Sequence, residues 1–188
     1  NIPPNRYQVC WRAPCSSVPD DETCPFPENK YFVVGQLELL GPYTREDTVV
    51  LGGELLVPNI GFGVSDGDWM LLRRECGKAN GETVDDGRMV DKDDVLATNS
   101  SRLIFNFGKL TRDHVQAGRH RLCWCQEGDG MTCSAEADFQ ADAGEVLILC
   151  PAGQELVDSR CESCPAGKQR PEAGLEPCSE CPTGRSSP

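Results

Sequence analysis

The apolar positions of this chain fall in short runs bounded by turns. T-V-V-L (48–51), E-L-L-V-P (54–58), D-W-M-L-L (68–72), R-L-I-F-N-F (102–107), H-R-L-C-W-C (120–125), A-D-F-Q-A (137–141) and E-V-L-I-L (145–149) are each four to six residues long. Gly- and Asp-bearing turns separate them, and no stretch sustains a helical period. Six to eight such runs over about 105 residues predict short strands in an antiparallel β-sandwich. T-R-D-H-V-Q-A (111–117) is the one helical candidate, and it amounts to a turn. The acidic, Gly-bearing stretch between Cys76 and Asn99 has no period and reads as a long exposed loop.

The same pattern is written twice. Residues 7–42 run from Y-Q-V-C-W through Cys15, Cys24 and Phe32 to G-Q-L-E-L-L-G-P. Residues 120–151 run from H-R-L-C-W through Cys125, Cys133 and Phe139 to G-E-V-L-I-L-C-P. Cys10 falls on Cys123, Trp11 on Trp124, Cys24 on Cys133, Gly35 on Gly144 and Pro42 on Pro151. An offset of 113 residues at the Cys-Trp end and 109 at the Gly-Pro end is domain-sized, well beyond a solenoid period. The expected organisation has three parts: 1–42, the C-terminal half of a truncated β-sandwich repeat; 43–150, a complete repeat; and 151–188, a truncated cysteine-rich segment. On this reading the chain is cut from a longer array. V-Q-A-G-R-H-R-L-C-W-C also resembles the late core strand of immunoglobulin-type domains, whose corner tyrosine stands as Tyr7 in the first copy and His120 in the second.

Composition moves the chain outside the cell. Twelve cysteines in 188 residues belong in an oxidising compartment, where they pair and staple loop-rich modules. A formal charge of −12 argues against nucleic acid or anionic lipid as the main partner. Nothing approaches the roughly 18 apolar residues of a membrane span, so this segment is not expected to insert. No leader opens N-I-P-P-N-R, so localisation rests on cysteine usage, which indicates a secreted or cell-surface protein.

From Cys150 the style changes to C-P-A-G (150–153), C-E-S-C-P-A-G (161–167) and C-S-E-C-P-T-G (178–184), with few large apolar residues between. Disulfides must replace a core there. This tail resembles the cysteine-rich repeats of ephrin-receptor-like and tumour-necrosis-factor-receptor-like ectodomains, which implies a small disulfide-rich unit of the EGF/TNFR-like kind. A Cys-Trp domain followed by such a tail resembles the large cysteine-repeat modular surface proteins of alveolates and other protists. That resemblance implies a giant secreted or surface protein used in adhesion, attachment or extracellular filaments, and it transfers no catalytic residue.

The repeat sets the expected disulfides. Cys76 closes the strand D-W-M-L-L-R-R-E-C and is paired with Cys123; Cys125 pairs with Cys133 across a Gly-rich turn, and Cys15 with Cys24 likewise. In the tail Cys150 pairs with Cys161 and Cys164 with Cys178. Cys10 and Cys181 are left without partners, Cys10 because Cys123, its counterpart, takes a partner 47 residues upstream.

Other candidate chemistry is weighed against plainer readings. Cys161, Cys164, Cys178 and Cys181 have the C-x2-C-x13-C-x2-C spacing of a tetrathiolate zinc site, but disulfides account better for Cys150 as well. G-V-S-D-G (63–67) matches a nucleophile elbow at Ser65, with His114 and His120 downstream. No alternating strand–helix pattern exists to build the sheet that chemistry needs, so a turn is expected. C-W-C (123–125) lacks a helix start and reads as two structural cysteines with Trp124 on the opposite face; Trp11 and Trp124 read as packing residues, with ligand stacking the alternative. Asp85, Asp86, Asp91, Asp93 and Asp94 offer calcium-type oxygen ligands without an EF-hand order, so calcium is a candidate against a solvated loop. Asn99-Ser100-Ser101 is a glycosylation sequon.

The expected function is a non-enzymatic structural or adhesive module, with other copies or modules of the same protein as partners. The alternative is a receptor-type ectodomain that binds a protein or glycan ligand through the 77–98 loop or the C-P-x-G rungs. A secreted hydrolase using Ser65 comes third.

Overall fold

Alternation decides which faces are covered. In E-L-L-V-P, Leu55 and Val57 are buried while Leu56 faces out; in residues 104–109, Phe105 and Phe107 are buried while Ile104 and Asn106 face out. A period of two with one face on the core is what a pleated strand produces. The computed structural model describes residues 2–11, 32–77, 96–128 and 130–182. Among them the protein is all-β, and the only helical element is a 3-10 turn at Glu136–Asp138.

The first strands are β1 (Asn5–Trp11), β2 (Phe32–Leu39), β3 (Gly41–Pro42), β4 (Arg45–Val50), β5 (Glu54–Pro58) and β6 (Gly61–Phe62). There follow β7 (Trp69–Arg73), β8 (Leu96–Ser101), β9 (Ile104–Lys109), β10 (Gly118–Cys125) and β11 (Ala141–Leu149). The tail adds β12 (Gln154–Val157), β13 (Arg160–Ser163), β14 (Lys168–Gln169) and β15 (Ser179–Glu180).

Seven strands form one sheet in the order β4-β11-β10-β7-β8-β9-β5. Its two outer strands are consecutive in the chain and joined by a tight turn. Gly52 N donates to Leu110 O at 2.7 Å, Leu110 N to Gly53 O at 2.9 Å, and Leu51 N to Leu149 O at 2.8 Å. The sheet thus curls until it is nearly closed, leaving little open edge. One pairing departs from the antiparallel expectation: β4 runs parallel to β11.

Val57, Met70, Leu72, Phe105, Leu122, Trp124, Val146 and Ile148 make the main core inside the curl. Burial of each such side chain is worth about 1.5–3 kcal/mol. A smaller cluster of Leu71, Ala97, Cys123, Cys125, Cys133 and Phe139 covers the other face of β10 and β7. Both faces of β10 are therefore dry, which explains why C-W-C buries all three residues. Cys150 and Cys161, with Leu156 and Leu175 against them, extend the main core into the tail.

Two local expectations are corrected. A-D-F-Q-A is not a strand, because the Asp138 carboxylate accepts bonds from Ser134 N and Ala135 N and winds the backbone into the 3-10 turn. β11 begins only at Ala141, and Phe139 reaches the smaller cluster from the turn. L-A-T-N-S-S, not anticipated as a strand, is β8. Residues 111–117 form the expected turn, with His114 N and Val115 N both donating to Thr111 O.

In the tail each C-P-A-G is the same turn. Gln154 N bonds Pro151 O at 3.2 Å and Lys168 N bonds Pro165 O at 3.0 Å. Gly153 and Gly167 sit at φ of 78° and 84°, the left-handed position that this turn reserves for glycine.

Candidate functional site: two matched hairpins and their sulfurs

The β1–β2 hairpin and the β10–β11 hairpin share one register. Tyr7 faces Leu37 as His120 faces Val146; Gln8 faces Gln36 as Arg121 faces Glu145; Val9 faces Gly35 as Leu122 faces Gly144. Each ladder then slips at the same place, between Val9 and Cys10 and between Leu122 and Cys123. After the slip Cys10 faces Val33 and Cys123 faces Asp142. A bulge re-aims the residues beyond it, here the Cys-Trp pair. The corner bond is also duplicated. Tyr7 Oη donates to Pro3 O at 2.5 Å, and His120 Nε2 lies 2.9 Å from Gln116 O, each four residues upstream.

Surroundings separate the two hairpins. β10 pairs with β7 and β11 with β4, whereas β1 and β2 pair only with each other among the described residues. Gly144 has φ 126°, and a Cβ there would lie 2.0 Å from Arg45 O; at Gly35 such an atom meets nothing within 4 Å. Leu122 and Val146 are fully buried, while their counterparts Val9 and Leu37 are 41% and 48% exposed.

The sulfurs join Cys76 to Cys123, Cys125 to Cys133, Cys150 to Cys161 and Cys164 to Cys178, four of the pairs the repeat predicts. Cys15 and Cys24 lie outside the described residues. Cys10 and Cys181 carry no disulfide; Cys10 is exposed. Cys161, Cys164 and Cys178, three of the four cysteines in the tetrathiolate spacing, are bonded in disulfides. Cys164 N donates to Gly153 O at 2.9 Å and Cys181 N to Gly167 O at 2.9 Å, so Cys181 stands to its rung as Cys164 stands to the rung before.

Compared with family models, curated proteins and solved structures, the chain matches none.

Ser65 is locked in a turn. Its Oγ donates to Asp68 Oδ1 at 3.0 Å and its N to Asp68 Oδ2 at 2.8 Å. Asp68 is fully buried and also receives Asn59 Nδ2 at 3.3 Å and Glu127 N at 3.4 Å. Ser100 Oγ and Asn59 Nδ2 both donate to Ser65 O. This network pins the β6–β7 connection to β8 and to the segment that follows β10; it was not anticipated, although the S-x-x-D order at 65–68 is its signal. His120 bonds Gln116 and has no partner at Nδ1, which leaves it outside any Ser65 arrangement. Burial holds its pKa below the ordinary 6.5, opposed by the Gln116 bond and aided by Arg74. His114 lies in the 111–117 turn.

Trp124 is buried in the main core and packs on Gly41, as a packing residue would. The side chain of Trp11 is outside the described residues. Arg121 pairs with Asp142, which raises its pKa further, and lies 3.5 Å from Glu145, which also pairs with Arg119. Asn99 is exposed, but on strand β8 opposite Trp69 and not in a loop. The calcium candidates Asp85, Asp86, Asp91, Asp93 and Asp94 fall outside the described residues. Among the described residues no group of three or more His, Cys, Asp or Glu side chains is arranged to hold a metal.

Proposed function

We propose that the chain is a non-enzymatic structural or adhesive module of a large secreted or cell-surface repeat protein, building an extracellular filament or attachment surface. One observation carries this reading: two hairpins with different side chains keep the same register, bulge, corner bond and Cys-Trp pair. Selection that holds a framework and lets its other positions vary suits a unit restated for length. The curled sheet is read as an immunoglobulin-like sandwich, on the strength of its corner bond and its parallel outer strand. The C-P-x-G rungs are read as an EGF/TNFR-like tail of a modular surface protein, and Asn99, exposed, as its glycosylation site. Four disulfides among the described residues suit a secreted or extracellular location, and no helix of those residues is long and apolar enough to cross a membrane.

The test is immunolabelling of intact, unpermeabilised cells that make the protein. Label on the surface or on shed filaments is expected. Label that appears only after permeabilisation would overturn the extracellular role. Loss of one soluble partner's binding on alanine replacement within 77–98, with the fold kept, would move the protein to the receptor class.

A further inference from the structure

We propose that the β1–β2 hairpin is a docking site for a β7-type strand that ends in a cysteine, supplied by another domain of this kind, and that Cys10 forms a disulfide with it. The inference rests on the geometry of the two hairpins and not on the extracellular role. The template is the second copy of the pattern, the β10–β11 hairpin. There β7 lies antiparallel on β10 with Leu71 opposite Cys123, Leu72 opposite Leu122 and Met70 opposite Trp124, and the chain beyond it brings Cys76 to Cys123 with Cα atoms 5.4 Å apart.

Three independent features of the first hairpin match a site prepared for the same guest. The outer edge of β1 pairs with no other strand among the described residues, and only Arg6 N, which donates to Asn5 Oδ1, is engaged by a side chain, so the edge beyond it can add a strand. The apolar side chains that β7 and the core cover in the second copy, at Leu122 and Val146, are present as Val9 and Leu37 and lie exposed. Cys10 is an exposed free thiol at the position where Cys123 is bonded. On the other edge Gly35 keeps open the space that Gly144 yields to β4, so a second strand has room beside β2.

The covalent step is thiol–disulfide exchange. The Cys10 thiolate attacks the sulfur of an incoming cysteine held as a mixed disulfide with glutathione. A new sulfur–sulfur bond forms, the bond to glutathione breaks, and glutathione leaves as a thiolate that takes up the proton Cys10 gave to water. No net oxidation occurs.

The probe is a synthetic peptide of residues 68–77, D-W-M-L-L-R-R-E-C-G, supplied as its glutathione mixed disulfide to the intact chain. Intact mass and peptide mapping read the adduct. An adduct on Cys10 is expected, formed at least tenfold faster than with a peptide whose Met, Leu and Leu are serines, and absent from the Cys10→Ser chain. A cysteine-free version of the same peptide is expected to slow amide exchange in β1, a readout that does not need the thiol. Equal rates with both peptides would mean an accessible thiol only. A Cys10–Cys10 dimer that excludes the peptide would make a second copy of this chain the occupant. Either result overturns the proposal.

Discussion

His120 makes through imidazole Nε2 the corner bond that Tyr7 makes through its phenol: each reaches a carbonyl four residues upstream, at 2.9 Å and 2.5 Å. A carbonyl only accepts, so Nε2 carries a proton, while Nδ1 is buried without a partner. Protonating Nδ1 would place a charge where burial penalises it. The His120 pKa in the folded state is therefore depressed, and the unfolded chain binds the proton more readily. Stability from this site is complete above pH 6.5 and is lost as the pH falls below it, until the folded pKa is reached. Urea denaturation between pH 7.5 and 5 should show this loss. His120→Tyr should remove the His120 share of it while keeping the fold.

Gly144→Ala and Gly35→Ala make a matched pair of changes at one repeat position. The first places a Cβ 2.0 Å from Arg45 O at a φ of 126°, and should cost about 2 kcal/mol or more. The second meets nothing within 4 Å and should change stability by under about 0.5 kcal/mol. Thermal denaturation of the two variants measures the contrast, and similar losses would contradict the different surroundings of the two hairpins.

How much of this was legible in the chain depends on the kind of signal. Side-chain identity carried the strands at Leu55/Val57 and Phe105/Phe107, because alternation survives without knowing the partner. It also carried the four disulfides, because the repeat names the equivalent cysteines. It did not carry β8, whose L-A-T-N-S-S is polar, and which is held by pairing with Trp69–Leu72 and Ile104–Phe105. Nor did it carry the parallel pairing of β4 on β11, a long-range register between residues about 100 positions apart. Phe139 read as a strand residue because its hydrophobicity is visible and the capping by Asp138 is not. The buried Asp68 escaped for the opposite reason, since an acid that follows a Gly turn reads as solvent-exposed until its four donors are placed around it.

That network yields its own test. Asp68→Ala takes the acceptor from Ser65 N, Ser65 Oγ and Glu127 N, leaving Asn59 Nδ2 only its bond to Ser65 O, and should destabilise the domain by about 3 kcal/mol. Ser65→Ala removes one bond and should cost about 1 kcal/mol. Ester hydrolysis by the unaltered chain is expected to equal that of Ser65→Ala; turnover lost with that hydroxyl would restore the hydrolase reading.

The two domain disulfides should differ in worth. Replacing Cys76 and Cys123 together by alanine frees a span of 47 residues, which the chain-entropy account values at about 4 kcal/mol. Replacing Cys125 and Cys133 frees a span of 8, valued at about 2.5 kcal/mol. Denaturant midpoints of the two double variants should fall in that order.

The most direct measurement is a disulfide map of the purified, non-reduced chain by alkylation, proteolysis and mass spectrometry. One framework position is held in two states: Cys123 bonded to Cys76, and its repeat counterpart Cys10 free. The expected map contains Cys76–Cys123, Cys125–Cys133, Cys150–Cys161 and Cys164–Cys178, with Cys10 and Cys181 alkylated. Cys10 bonded to Cys15 or Cys24, or Cys123 bonded to Cys133, would contradict the shared framework on which the whole reading stands.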